Sequence, residues 1–170
     1  MNVVHPCWSF VCRLLAVMTT FVLVQLGGQA WADGHDAVLL SVTGPETEIS
    51  FTRADLEAIA TETFTTSTIW TEGEQEFTGT PLIDFVQALE VDAGVLQAIA
   101  ANDYAVEIPL SDAVEGGPII AFLRNGQPMS LRDQGPLWLV YPYDDNPEYQ
   151  SEIIYSRSIW QLERIVIQDP

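Results

Sequence analysis

Beyond residue 32 the chain has no cysteine and no lysine, and His35 is its only histidine. A fold built from this stretch has neither disulfides nor thiolate–metal sites to brace it and must rest on its apolar core. The same composition removes cysteine nucleophiles, Ser/His hydrolase pairs built on a core histidine, and zinc fingers. Cys7 and Cys12 lie with His5 in an N-terminal segment that reads as a secretory signal. Arg13 supplies a positive start, Leu14 to Leu26 an apolar run, and Ala30-Trp31-Ala32 an A-x-A cleavage site. The apolar run is 13 residues long, short of the ~18–20 that a spanning helix needs. The expectation is a signal peptide over 1–32, one domain over 33–170, and a periplasmic or secreted protein whose mature chain does not insert in a membrane.

Residues 33–170 hold all 24 acidic residues and five of the six arginines, a net charge of −19. Nucleic acid and anionic lipid are held by clustered Lys and Arg, so neither is an expected partner. Apolar and aromatic residues are spread evenly through the stretch, which argues for a folded domain rather than a disordered acidic chain. Leu82, Phe85, Val86, Leu89, Ile119, Ile120, Phe122, Leu137, Leu139 and Val140 are candidates for its core.

The pattern predicts an α+β domain with many short strands. Ala37 to Val42 is a β-favouring run that ends at the turn signal Gly44-Pro45. Thr52, followed three residues later by Asp55, is a capping-box variant and predicts a helix over Ala54 to Ile59. Thr63 to Trp70 and Gln75 to Thr78 read as strands divided at Gly73. Thr80 as cap and Pro81 in the first turn open a helix whose Leu82, Phe85, Val86 and Leu89 share one face. Leu96 to Ala101 and Tyr104 to Ile108 read as strands joined at Asn102-Asp103, and Ser111 to Val114 as a single helical turn. Ile119 to Leu123 is followed by the hairpin dipeptide Asn125-Gly126. Leu137 to Tyr141 and Ile159 to Ile167 complete the expected strands.

Four stretches, taken in order, resemble one family. They are Phe77-Thr78-Gly79-Thr80-Pro81-Leu82-Ile83-Asp84-Phe85, Asp103-Tyr104-Ala105-Val106-Glu107-Ile108-Pro109, Ile120-Ala121-Phe122-Leu123-Arg124-Asn125-Gly126-Gln127-Pro128-Met129, and Gly135-Pro136-Leu137-Trp138-Leu139-Val140-Tyr141-Pro142. Together they resemble the molybdopterin-binding domain of the sulfite oxidase superfamily, in its small exported stand-alone form. The resemblance implies a mixed-sheet, barrel-like α+β domain and a molybdopterin cofactor, with molybdenum held by one cysteine thiolate and the pterin gripped by basic side chains.

This chain departs from that pattern at four points. Thr65-Thr66-Ser67-Thr68-Ile69 stands where the ligand cysteine is implied and offers hydroxyls. Trp138 stands at the implied arginine, Trp160 at the implied lysine and Asp133 at the implied histidine. Soft thiolates suit such a metal and guanidinium forks suit phosphate, so the cofactor is expected to bind differently or not at all. By resemblance the candidate cofactor-binding residues are Arg132, Asp133, Trp138, Arg157 and Trp160, and no catalytic or metal-ligating residue is assigned.

Arg124, Arg132 and Arg157 are candidates for an oxyanion site, weighed against neutralisation by nearby acids, which Arg132 beside Asp133 suits. Trp70, Trp138, Trp160, Tyr141, Tyr143 and Tyr155 either line a pocket for a flat ligand or fill space a cofactor would take. Asp144-Asp145-Asn146-Pro147-Glu148 lacks the spacing of an EF-hand loop and reads as a solvated acidic turn. The favoured reading is an exported module that keeps the fold and binds a small ligand or a periplasmic or membrane protein partner. The alternatives are an active periplasmic molybdopterin oxidoreductase and an acidic cation-binding protein.

Overall fold

A computed structural model describes residues 37–45 and 48–168, so the expected signal segment lies outside the described residues. The N-terminal strands β1 (Val38–Thr43) and β2 (Glu48–Thr52) pair antiparallel. Helix α1 (Arg53–Ile59) starts directly from β2 through the expected capping box. The Asp55 N–H donates to Thr52 Oγ1 at 3.2 Å, and the Thr52 N–H donates to the Asp55 carboxylate at 2.8 Å. Both groups would otherwise be orphan donors of the first turn.

Strands β3 (Glu62–Ser67) and β4 (Glu74–Pro81) follow, then helix α2 (Leu82–Ala88). The expected cap of α2 is corrected here. Strand β4 continues through Pro81, and Pro81 takes the cap position without any side-chain bond. The buried Thr80 hydroxyl donates instead to the Leu56 carbonyl at 2.8 Å, tying β4 to α1. Leu82, Phe85 and Val86 form the buried face as expected, while Leu89 is half-buried at the end.

Strands β5 (Val95–Ala100) and β6 (Ala105–Pro109) form the next hairpin, and the expected turn near Ser111 is a 3-10 turn at Leu110–Asp112. Strand β7 (Ile119–Arg124) turns at Asn125 and Gly126, with φ of 52° and 71°, into β8 (Gln127–Pro128). Positive φ at both central residues is what a type I′ hairpin requires. Strand β9 (Trp138–Val140), helix α3 (Glu152–Arg157) and strand β10 (Leu162–Gln168) complete the order.

The α+β expectation holds, but the barrel-like one is corrected to two separate sheets. One runs β2-β1-β10-β5-β6, with β10 parallel to β1. The other runs β3-β4-β7, and β7 shares its far edge between β9 at Ile119–Ala121 and β8 at Leu123–Arg124. Closure would need the outer strands of one sheet to find partners. Instead β2 and β6 end the first sheet, and β3 ends the second.

Gly79 lets β4 and β7 approach: a Cβ there would lie 2.6 Å from the Ala121 Cα, where the register also shifts. Leu40, Leu56, Phe77, Phe85, Leu96, Ile119, Ile120 and Trp138 are fully buried in one core joining strands and helices.

Candidate functional site

Trp138 faces inward from β9, a strand buried at all three positions, and is itself 0% exposed. Its ring meets Phe77 at 5.3 Å and Trp70 at 5.8 Å, both edge to face, and its indole N–H donates to the Ser158 carbonyl at 3.2 Å. Trp160 sits beside it through an isolated β-bridge, 6.2 Å from ring to ring. The two residues at the implied arginine and lysine positions are therefore joined in an aromatic cluster, one of them wholly inside the core.

The remaining predicted residues are not gathered there. Arg157, at the end of α3, donates to both carboxylate oxygens of Asp112 at 3.0 and 3.1 Å. Asp112 also accepts from the Tyr141 hydroxyl at 2.8 Å, so one carboxylate serves two donors. Burial, and after it the Asp112 charge, push the Tyr141 hydroxyl far above its ordinary value of 10.0. Tyr143 is also raised, chiefly by burial, while its bond with Ser158 works against the shift. Both tyrosines belong to the core rather than to a pocket wall.

Asp133 is exposed and accepts from the Ser130 hydroxyl at 2.6 Å. Its ion-pair partner is Arg124, at 3.8 Å, and not the adjacent Arg132 as expected from the sequence. Arg124 also donates to the Gln134 side-chain oxygen at 2.8 Å. Arg132 is exposed in a shallow depression of about 310 Å³ that it shares with Trp70, Glu72, Arg124 and Asp133. Acids and arginines balance there, so the depression is not a concentrated cationic site for an oxyanion.

The segment at the implied ligand position is tied to the distant acidic loop. The buried Thr66 hydroxyl accepts from the Asp144 N–H at 3.2 Å, and the Ser67 N–H donates to the Asp144 carboxylate at 2.6 Å. Thr68 shares a hydrogen bond with Thr71 at 2.8 Å. In the acidic loop, Asn146 caps a 3-10 turn at Pro147–Tyr149, which matches the solvated-turn expectation. Among the described residues no three His, Cys, Asp or Glu side chains are grouped to hold a metal ion. Neutral hydroxyls and a buried tryptophan do not fit a thiolate-held, phosphate-anchored molybdopterin.

A different pocket opens on the outer side of the aromatic cluster. It has a volume of about 330 Å³ and is lined by Trp70, Tyr104, Tyr155 and Trp160 together with the buried Ser158 and Ile159. The lining holds no charged side chain. Trp70, Tyr155 and Trp160 were expected as pocket candidates, while Tyr104 and Asn102 were not. They arrive from the β5–β6 turn, which meets α3 through a hydrogen bond from the Tyr104 hydroxyl to the Ser156 carbonyl at 3.4 Å. The turn dipeptide was visible in the sequence, but nothing local indicated which helix it would face.

No protein-family model matches the chain, and no curated protein matches it by sequence. Among solved structures it is similar to the sulfane dehydrogenase SoxCD from Paracoccus pantotrophus, with a TM-score of 0.56 and 21% identity over 77% of this chain. The match spans 38% of that chain's length. At that identity the likeness is one of fold: this chain is a distant structural relative of part of SoxCD.

Proposed function

We propose that the protein is an exported, non-catalytic member of the sulfite oxidase-type molybdopterin fold, acting as a ligand- or partner-binding module. The observation that carries this reading is Trp138. At the position of an implied phosphate-binding arginine stands a fully buried indole, covered by Trp70 and Trp160 and bonded to the Ser158 carbonyl. Arg157, another candidate anchor, is bound on both oxygens of Asp112. A fold alone does not carry the chemistry of its relatives, and the groups that would hold and tune a molybdenum centre are replaced here by a hydrocarbon core and hydroxyls. Among the described residues no helix is long and apolar enough to cross a membrane. In this reading the segment over 1–32 directs export, and the partner is a small molecule or an envelope protein.

The test is the molybdenum and pterin content of the protein purified from a periplasm able to make the cofactor. Elemental mass spectrometry reads the metal and fluorescence after oxidation reads the pterin. A folded protein with neither, or with pterin and no metal, is the expected result, the second marking a carrier or sensor. Near-stoichiometric amounts of both would overturn the proposal in favour of an active oxidoreductase.

A further inference from the structure

The aromatic pocket has a chemistry that narrows its ligand. The Trp70 ring stands at 84° to both the Tyr155 ring, 5.8 Å away, and the Trp160 ring, 5.4 Å away. Aromatic surfaces of different orientation therefore meet in one part of the lining, to which the exposed Tyr104, held to α3, adds a further ring. Besides the tyrosine hydroxyls, the polar side chains of the lining are Asn102, Ser156 and Ser158, and each is already engaged. The Ser158 hydroxyl donates to the Ile154 carbonyl at 2.8 Å and pairs with Tyr143. The Ser156 hydroxyl donates to the Ile153 carbonyl at 2.7 Å, and the Asn102 side-chain oxygen accepts from the Tyr104 N–H at 3.1 Å.

This set of walls discriminates among ligand classes. A hydrated metal ion needs carboxylates, and the lining contains none. An anion meets the negative faces of the rings and a stretch of chain carrying a charge of −19. A primary ammonium would leave its N–H donors short of acceptors when it lost water. A cation with no N–H groups and a methyl-covered surface avoids that penalty, packs against apolar walls and is attracted by the ring faces. We propose that the pocket lined by Trp70, Tyr104, Tyr155 and Trp160 binds a quaternary ammonium group. Its volume of about 330 Å³ suits a small molecule that carries one. The proposal rests on the binding-module reading and names the ligand class of that module.

The experiment titrates the full chain with choline chloride, followed by tryptophan fluorescence and calorimetry. The control is 3,3-dimethylbutan-1-ol, in which carbon replaces the charged nitrogen. Saturable one-to-one binding of choline is expected, with the neutral isostere weaker by about tenfold. Tyr155→Leu should weaken choline binding by roughly fivefold or more. Tyr104→Ser, at an exposed side chain, should weaken it without disturbing the fold. Equal binding of the isostere, or no saturable choline binding by folded protein, would overturn the quaternary ammonium assignment. Either failure leaves the metal and pterin assay untouched, so the ligand class and the non-catalytic reading are decided separately.

Discussion

The indole N–H of Trp138 donates to the carbonyl oxygen of Ser158 across 3.2 Å, linking β9 to the segment that follows α3. A residue that replaces an implied cofactor anchor is thus a structural tie between two parts of the core. Trp138→Phe should cost about 1–3 kcal/mol, from lost contact and an unmade buried hydrogen bond. Trp138→Arg, which restores the implied residue type, should destabilise further, because it places a charge among Trp70, Phe77 and Trp160. Urea denaturation checks both. A Trp138→Arg protein as stable as the parent would show that the position opens onto a solvated anion site.

Asp112 joins Arg157 and Tyr141, and removing it strands both donors. Its side chain is 12% exposed and that of Arg157 23%, so the pair is largely shielded from water. Asp112→Ala should lower stability by about 2–3 kcal/mol, below the range for a fully buried pair. Tyr141→Phe, which removes one hydrogen bond, should cost about 1 kcal/mol. The same denaturation series carries a second readout. If Arg157 were free to anchor an anion, sulfate would stabilise the parent and not Arg157→Met; with Arg157 held by Asp112, sulfate should shift both alike.

The hydroxyls of Tyr141 and Tyr143 are both held above the ordinary value of 10.0, first of all by burial. In the unfolded chain they ionise near that value, while in the folded chain they keep their protons. Their contribution to stability is therefore intact below pH 10.0 and falls as pH rises through and beyond it. Tyrosinate absorbance followed alongside circular dichroism should show these two residues ionising together with unfolding. Their ionisation in a protein with native dichroism would contradict the burial assigned to them.

Acid should act at the other end of the chain. The bonds from the Thr52 hydroxyl and, next, its backbone N–H hold the Asp55 carboxyl below its ordinary value of 3.8. A lowered folded value means that the capping box stabilises fully above that pH and loses its effect as pH falls through the folded value. Asp55→Asn should lower the Tm at neutral pH and make little difference in strong acid, where the parent has lost the same bond. Thermal melts across the acid range measure this directly.

Much of the backbone organisation was legible because its causes are local. Thr52 and Asp55 are three residues apart and form their cap within one turn. Asn125-Gly126 takes the two positive φ values that its hairpin needs. Leu82, Phe85 and Val86 lie on the buried side of α2, as their spacing requires. Strand β2 was not legible because Phe51 is its one buried residue, which leaves no alternating stripe. Helix α3 escaped for a related reason: it is six residues long and buries Ile154 while exposing Ile153.

The sequence by itself determined an acidic domain without disulfides, its α+β class and its principal local turns and caps. These depend on composition and on residues a few positions apart. The tertiary structure decided that Arg124 rather than Arg132 meets Asp133, that Thr80 bonds Leu56 instead of capping α2, and that the β5–β6 turn meets α3 beside Trp70. It also decided that Trp138 lies inside while Trp70, Tyr155 and Trp160 face a pocket. Each of these is a choice among partners distant in the chain, made by how two sheets and three helices share one core, and local spacing does not encode that choice.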